Sequence, residues 1–138
     1  MRAVVDTNVL VAALLSSSGA PAQLLRAWRV GAFELIVSPN LIDELERALQ
    51  YPKLRVRIPL ADGLAFIDLL RRRADLRDDP AGPPPVKSTD PKDNYLLTLA
   101  AASQAVIVSG DRHLLDLSDH LPVYSPAAYL ETTRRGDR

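Results

Sequence analysis

Two short apolar runs constrain this chain most. Ala3-Val4-Val5 near the start and Ala105-Val106-Ile107-Val108 near the end carry no polar residue and read as buried strands. Each leads into an acid. Asp6 follows the first run at once, and Ser109-Gly110-Asp111 follows the second. In open α/β sheets, ligands bind in the crevice beyond the carboxyl ends of the strands. Two strands that end in acids therefore predict carboxylates gathered at one edge of a sheet. Like charges held close repel unless a cation or protons compensate. The economical reading is a divalent-metal site with hydrolytic or phosphoryl chemistry.

Between these runs, strand and helix signals alternate, which favours a parallel α/β sheet over an all-α or all-β fold. An apolar helical run from Val9 to Leu15 is broken by Ser16-Ser17-Ser18-Gly19. Pro21 opens a second helix with Leu24, Leu25 and Trp28 on its inner face, and Gly31 ends it. Phe33 to Val37 reads as the second strand. Ser38 then caps a helix that starts at Pro39 and runs to Leu49, where Tyr51-Pro52 stops it. Leu60, Leu64, Ile67 and Leu70 mark another helix, ending in Arg71-Arg72-Arg73. The stretch from Asp75 to Ser88, with Asp-Asp-Pro-Ala-Gly-Pro-Pro-Pro inside it, is the most loop-like. A helix from Pro91 to Ser103 precedes the second apolar run. A short helix over 111–117, a strand from Leu121 to Tyr124 and a helix from Pro126 to Thr132 close the pattern.

The length of 138 residues predicts one domain, over residues 1–132, with a frayed polar tail over 133–138. The absence of cysteine removes disulfides, thiolate metal sites and cysteine nucleophiles together, and fits a cytoplasmic location. No signal peptide is expected, because Asp6 interrupts the opening apolar stretch, and no run approaches the length of a membrane span. Lys plus Arg and Asp plus Glu balance at 17 each. A general nucleic-acid binder is usually basic. This chain can hold a polyanion only through a local basic patch or bound metal. Near-neutral proteins also associate readily, which suits a partner or a dimer.

Further acids fall at telling positions. On the Pro39–Leu49 helix, Leu41, Ile42, Leu45, Ala48 and Leu49 form one apolar face. Glu44 borders it, Asp43 lies almost opposite, and Glu46 borders the other side. Glu44 therefore either points into a cleft or is a solvated boundary residue. Asp93 shares a stripe with Leu96, Leu97 and Ala100, so an acid tops an otherwise buried face. Asp90-Pro91-Lys92-Asp93 reads equally well as a helix start, with Asp90 as cap and an acid favoured by the dipole. Asp6 and Asp111 admit the same capping alternative. His113 and His120 have no ligand spacing between them and read as surface histidines.

The ordered words Val5-Asp6-Thr7-Asn8-Val9-Leu10, Ser38-Pro39 with Glu44-Leu45, Asp90-Pro91-Lys92-Asp93 with Leu99-Ala100, and Val108-Ser109-Gly110-Asp111 with Leu114-Leu115 resemble the PIN-domain nucleases. Within that family the chain is similar to the VapC-like toxin component of bacterial type II toxin–antitoxin pairs. The resemblance covers about residues 1–130. It implies a PIN-like three-layer α/β/α domain with a central, mostly parallel sheet. It implies Asp6, Glu44, Asp93 and Asp111 as the catalytic, metal-binding acids for Mg²⁺ or Mn²⁺. Asn8 matches a supporting polar residue, and Ser109 stands where the family often has Thr. The implied substrate is RNA, and the implied partners are a protein antitoxin and a second copy of the chain.

Such an enzyme still needs contacts to the RNA backbone. Lys53, Arg55 and Arg57, which alternate with Leu54, Val56 and Ile58, are either ordinary surface charge or such contacts. The same holds for Arg71-Arg72-Arg73. Aromatic residues make up 5%, and no base-stacking platform is evident. Two other readings compete with the nuclease. One is a PIN-like module that only binds a partner. The other is a haloacid-dehalogenase-type phosphatase, which wants a second Asp where this chain has Asn8. A receiver domain would need a lysine after a late strand, and none follows Lys92.

Overall fold

Five strands form one sheet in the computed structural model, which describes residues 1–88 and 90–136. They are β1 (Arg2–Val5), β2 (Glu34–Val37), β3 (Asp75–Leu76), β4 (Val106–Val108) and β5 (Val123–Tyr124), in the order β3-β2-β1-β4-β5. All four pairings are parallel, so the expected mostly parallel sheet is parallel throughout. In the registers, Val4 lies beside Ile36 and Val5 beside Val108. The central strands are apolar because both of their faces are covered. Ala3, Val4, Val5, Leu35, Ile36, Val37, Ile107 and Val108 are all buried.

The helices are α1 (Thr7–Leu15), α2 (Ala20–Arg29), α3 (Pro39–Leu49), α4 (Pro52–Arg57), α5 (Leu60–Arg73), α6 (Asn94–Ser103), α7 (Arg112–Leu115) and α8 (Pro126–Arg135). The connections from β1 to β2 to β3 run one way along the sheet, and those from β3 to β4 to β5 run the other way. α1 packs on α2 and α3, α3 on α5, and α6 on β1 and β4; with the right-handed crossovers that parallel strands adopt, this gives the three-layer α/β/α arrangement. The direction reverses between β1 and β4. That switch point leaves a crevice at the carboxyl ends of the two strands.

Local chemistry sets most boundaries. Ser38 Oγ accepts from the Leu41 N–H at 3.3 Å and Pro39 opens α3. Ser125 and Pro126 repeat the device for α8, with Ala128 N–H at 3.1 Å from Ser125 Oγ. α6 ends where Gln104 turns left-handed at φ 53°. On α3, Leu41, Ile42, Leu45 and Leu49 form the buried face.

The structure departs from the sequence reading at five places. Tyr51-Pro52 ends α3 but also starts α4, with Pro52 at its first position, so the alternating basic stretch is a helix. β3 lies inside the stretch read as loop. It has two residues on the sheet edge, too short to leave a pattern. On α5 the inner face is Gly63, Phe66, Ile67 and Leu70, while Leu60 and Leu64 are 51% and 59% exposed. The bulky Phe66 turns inward, and Gly63 faces α3, where a Cβ would meet Leu49 at an ordinary contact distance of 3.4 Å. The helix read from Pro91 opens as a 3-10 turn over Pro91–Asp93, closed by Asp93 N–H to the Asp90 carbonyl at 3.0 Å. Finally, α8 runs through Arg135, so residues 133–135 of the expected tail are helical. Arg134 and Arg135 suit the negative end of its dipole, and Gly136 closes it at φ 71°. Residues 137 and 138 lie outside the described residues. Among the described residues no single helix is long and apolar enough to cross a membrane.

Tyr129 joins the last helix to the core. Its ring meets Phe33 edge-on at 5.3 Å and Tyr124 at 5.7 Å. Its hydroxyl is buried without a hydrogen-bond partner, and burial pushes its pKa up to about 12. A buried unpaired hydroxyl costs free energy that its removal recovers. Tyr129→Phe is therefore expected to leave stability unchanged or raise it by up to about 1 kcal/mol. Tyr129→Ala should lower it by about 3–5 kcal/mol. Urea unfolding at neutral pH measures both.

Candidate functional site

Asp6 leaves β1 at the switch point with its backbone N–H on the Val108 carbonyl at 2.9 Å, so the β1–β4 ladder itself places the residue. Only 3% of it is exposed. It stands at the N-cap position of α1, but its side chain makes no capping bond. Instead Oδ2 accepts from the buried Ser109 hydroxyl at 2.8 Å. Burial raises the pKa of Asp6. The Ser109 bond and the backbone N–H of Asn8 lower it, and the charges of Glu44 and Asp111 raise it again.

The other acids arrive from separate segments. Glu44, half-buried on α3, accepts from the Thr7 hydroxyl and from the Tyr95 hydroxyl at 3.1 Å. Thr7 Oγ1 also lies 3.4 Å from Asp6 Oδ1. A hydroxyl has one proton to donate. The Glu44 contact is the shorter, so the proton points there. On the far side, Ser109 Oγ accepts from the Asp111 N–H at 2.9 Å. Two hydroxyl-linked groups result: Tyr95 and Thr7 both donate to Glu44, and Ser109 links Asp6 to the Asp111 backbone.

Asp93 stands outside both groups. Its Oδ2 is buried with no partner. Burial first, then the charges of Asp6, Asp111, Asp90 and Glu44, push its pKa up to about 6. The four sequence-predicted acids, with Asn8, line one cleft of about 510 Å³ together with Asp90, Asn40, Asp43, Arg47, Tyr51, Lys92 and Tyr95.

The capping alternatives divide. Asp111 does cap α7, accepting from His113 N–H at 2.9 Å, and it lines the cleft as well. Asp90 caps its turn through Lys92 N–H at 3.1 Å. At Asn8 it is the backbone N–H that favours the Asp6 charge. Glu46, on the opposite border of α3, pairs with Arg71 at 2.6 Å, away from the cleft.

Three contributors escaped the sequence reading. Thr7 was legible only as a neighbour of Asp6. Tyr95 lies two residues beyond Asp93, and its phenol is pushed up by burial, by the Glu44 charge and by their hydrogen bond. Asp79, in the loop after β3, bonds the Asn40 N–H at 2.9 Å and adds its charge near Tyr95.

The donor set is all oxygen, the type that hard divalent cations take. Among the described residues, no three carboxylates or histidines converge on one ion-sized position. Mg²⁺ needs only one or two carboxylates beside its waters. The partnerless Asp93 oxygen and the raised Asp6 and Asp93 leave negative charge for a cation to neutralise. The residues fit such an ion.

A family model described as PIN domain matches residues 2–113. An uncharacterized protein of Methanocaldococcus jannaschii is 26% identical over 141 residues, covering 95% of this chain and 90% of that protein. Among solved structures, VapBC2 from Rickettsia felis, bound to a DNA fragment from their promoter, is similar at TM-score 0.62 and 14% identity, over 91% of this chain and 98% of that one. The PIN domain of human SMG5 is similar at TM-score 0.53 and 13% identity, over 96% and 98%.

A carboxyl with a raised folded pKa binds its proton more tightly folded than unfolded. Stability then falls as pH rises through the window between the unfolded and folded values. For Asp93 that window runs from 3.8 to about 6. Asp93→Asn in chelator should therefore melt higher at pH 7.5, by on the order of 3 °C. The gain should fade as pH falls toward 4. Thermal melts followed by circular dichroism check this, and coincident melts at pH 7.5 would refute it.

Proposed function

This chain belongs to the PIN-domain family, and we propose that it is a metal-dependent ribonuclease, the toxin of a toxin–antitoxin pair. One observation carries the reading. Four acids from four separate segments meet in one cleft at the sheet's switch point, with charge left uncompensated. Asp6, Glu44, Asp93 and Asp111 are the groups that would hold Mg²⁺ or Mn²⁺. Bound there, the ion would lower the pKa of its water and polarise a phosphate.

The chain's own residues divide the remaining work. Ser109, Thr7 and Tyr95 fix Asp6 and Glu44 in place through hydroxyl donors. Asp93, whose Oδ2 has no hydrogen-bond partner, is the acid we assign to orienting or deprotonating the attacking water. Asp111 is held from both sides, by its N–H on Ser109 and its Oδ1 on the turn of α7. Neither His113 nor His120 lines the cleft.

An antitoxin would cover the acidic cleft or seat an arginine in it, since guanidinium pairs well with clustered carboxylates. The likeness to VapBC2 supports a protein partner. A homodimer is consistent with the zero net charge. The cysteine-free sequence is consistent with cytoplasmic residence.

Purified protein incubated with structured and unstructured RNAs should cleave with Mn²⁺ or Mg²⁺ and not with EDTA. Asp6→Asn should reduce cleavage by on the order of 100-fold or more. If both proteins are inactive and calorimetry detects no Mn²⁺ binding, the chain is a partner-binding module instead. Tyr95→Phe removes one donor from Glu44 and keeps the ring. It should lower cleavage by about tenfold, in the range for partners that orient a metal ligand. Unchanged rates would remove Tyr95 from the site.

A further inference from the structure

The rim of the cleft differs from its floor. Tyr51 is 61% exposed, while Trp28, Phe33, Phe66 and Tyr129 are buried. Its backbone is nevertheless fixed. Its N–H bonds the Ala48 carbonyl at 3.1 Å, and its own carbonyl accepts from Leu54 at 2.9 Å and Arg55 at 3.0 Å. Pro52 restricts it further to the extended conformation seen, φ −62° and ψ 136°. An aromatic ring on so rigid a mount, facing solvent beside a cleft, contributes nothing to the core.

Two cations share the rim. Arg47 comes from the last turn of α3, on the Tyr51 side, and Lys92 from the turn that Asp90 caps. Arg2, Arg71, Arg72 and Arg77 all pair with carboxylates. Among the described residues Arg47 and Lys92 form no ion pair, as is also true of Lys53 and Arg55, but Arg47 and Lys92 line the cleft and have acids around them. The acidic floor repels phosphate, so a polyanion needs cations at the edge to approach it.

We propose that Tyr51, Arg47 and Lys92 form a rim that holds single-stranded RNA, with an unpaired base stacked on Tyr51 and backbone phosphates on the two cations. This rests on the ribonuclease reading and adds the residues that hold the strand. Base faces are available to a side chain only where the strand is unpaired. Aromatic stacking is tolerant of sequence because every base has a π-face. The rim therefore selects for unpaired strand rather than for a base identity.

The test is fluorescence anisotropy in EDTA with a short labelled oligoribonucleotide lacking self-complementarity, and with the same strand annealed to its complement. Wild type should bind the single strand more tightly than the duplex. Tyr51→Ala should weaken single-strand binding by about tenfold, while Tyr51→Trp keeps it and duplex binding stays unchanged. Arg47→Gln and Lys92→Gln should each lower the slope of log Kd against log salt by about 0.7. Equal affinity for duplex, or single-strand affinity unchanged in Tyr51→Ala, would overturn the proposal and leave the rim to another partner, such as a protein. Cleavage with Mn²⁺ is read separately. Binding through Tyr51 without cleavage would uphold the rim and remove the ribonuclease reading. Cleavage that persists with Tyr51→Ala binding unchanged would remove the rim alone.

Discussion

Asp6 sits inside the protein at the end of β1, held by the Ser109 hydroxyl at 2.8 Å, and no cation pairs with it among the described residues. That arrangement is stable only because the backbone around it is over-determined. β1 lies between β2 and β4, and the Asp6 N–H itself belongs to the ladder, bonded to Val108. To move the carboxylate outward the chain would have to break the central pairing of the sheet. The apolar strands place the residue, and the reversal of crossover direction beside β1 supplies the crevice it lines. The positions of Glu44, Asp93 and Asp111 follow from segments that pack around that crevice.

Four acids around one cleft invite mutual repulsion, and the protein distributes it unevenly. Hydroxyl donors from Ser109, Thr7 and Tyr95 absorb part of the cost at Asp6 and Glu44. Backbone N–H groups do the same at Asp111 through its cap on α7. Asp93 receives no donor on its buried oxygen, and burial first, then the charges of Asp6, Asp111, Asp90 and Glu44, push its pKa up to about 6. A local conflict of this kind, inside a fold whose other levels agree, is what functional sites introduce at the expense of stability.

Much of this was legible in the sequence because the relevant signals are local. An uninterrupted apolar run followed by an acid locates a strand end, and Ser-Pro before a helical stripe locates a cap. Asp6 and Asp111 read in this way as strand-end acids, whereas the grouping of Glu44 and Asp93 with them was implied by the family resemblance. What stayed hidden depended on tertiary geometry. Tyr95 gains its meaning only when α6 brings it within 3.1 Å of Glu44, fifty-one residues away. Asp79 belongs to a loop whose only regular element is a two-residue edge strand, and edge pairing that short has no periodicity. Leu60 and Leu64 misled because helical spacing identifies a stripe but not which neighbouring stripe is buried. The stripe that packs inward is the one carrying Phe66, Ile67 and Leu70. The sparse aromatics hid Tyr51 for a related reason. One exposed ring is enough for stacking if the fold sets it beside the reacting groups.

The same unrelieved charge links the two ligands proposed for the cleft. Anything that binds the folded state and not the unfolded chain stabilises the fold. Here the gain is largest for a cation, because it replaces repulsion among Asp6, Glu44, Asp93 and Asp111 with attraction. A divalent ion and an inhibitor's arginine would relieve the same repulsion at the same place. By linkage, each must then lower the affinity of the other by an equal factor. On the reading proposed above, inhibition needs no conformational change in the enzyme and no dedicated regulatory site. The carboxylates that make the cleft chemically competent are themselves the handle by which a basic side chain can hold it closed.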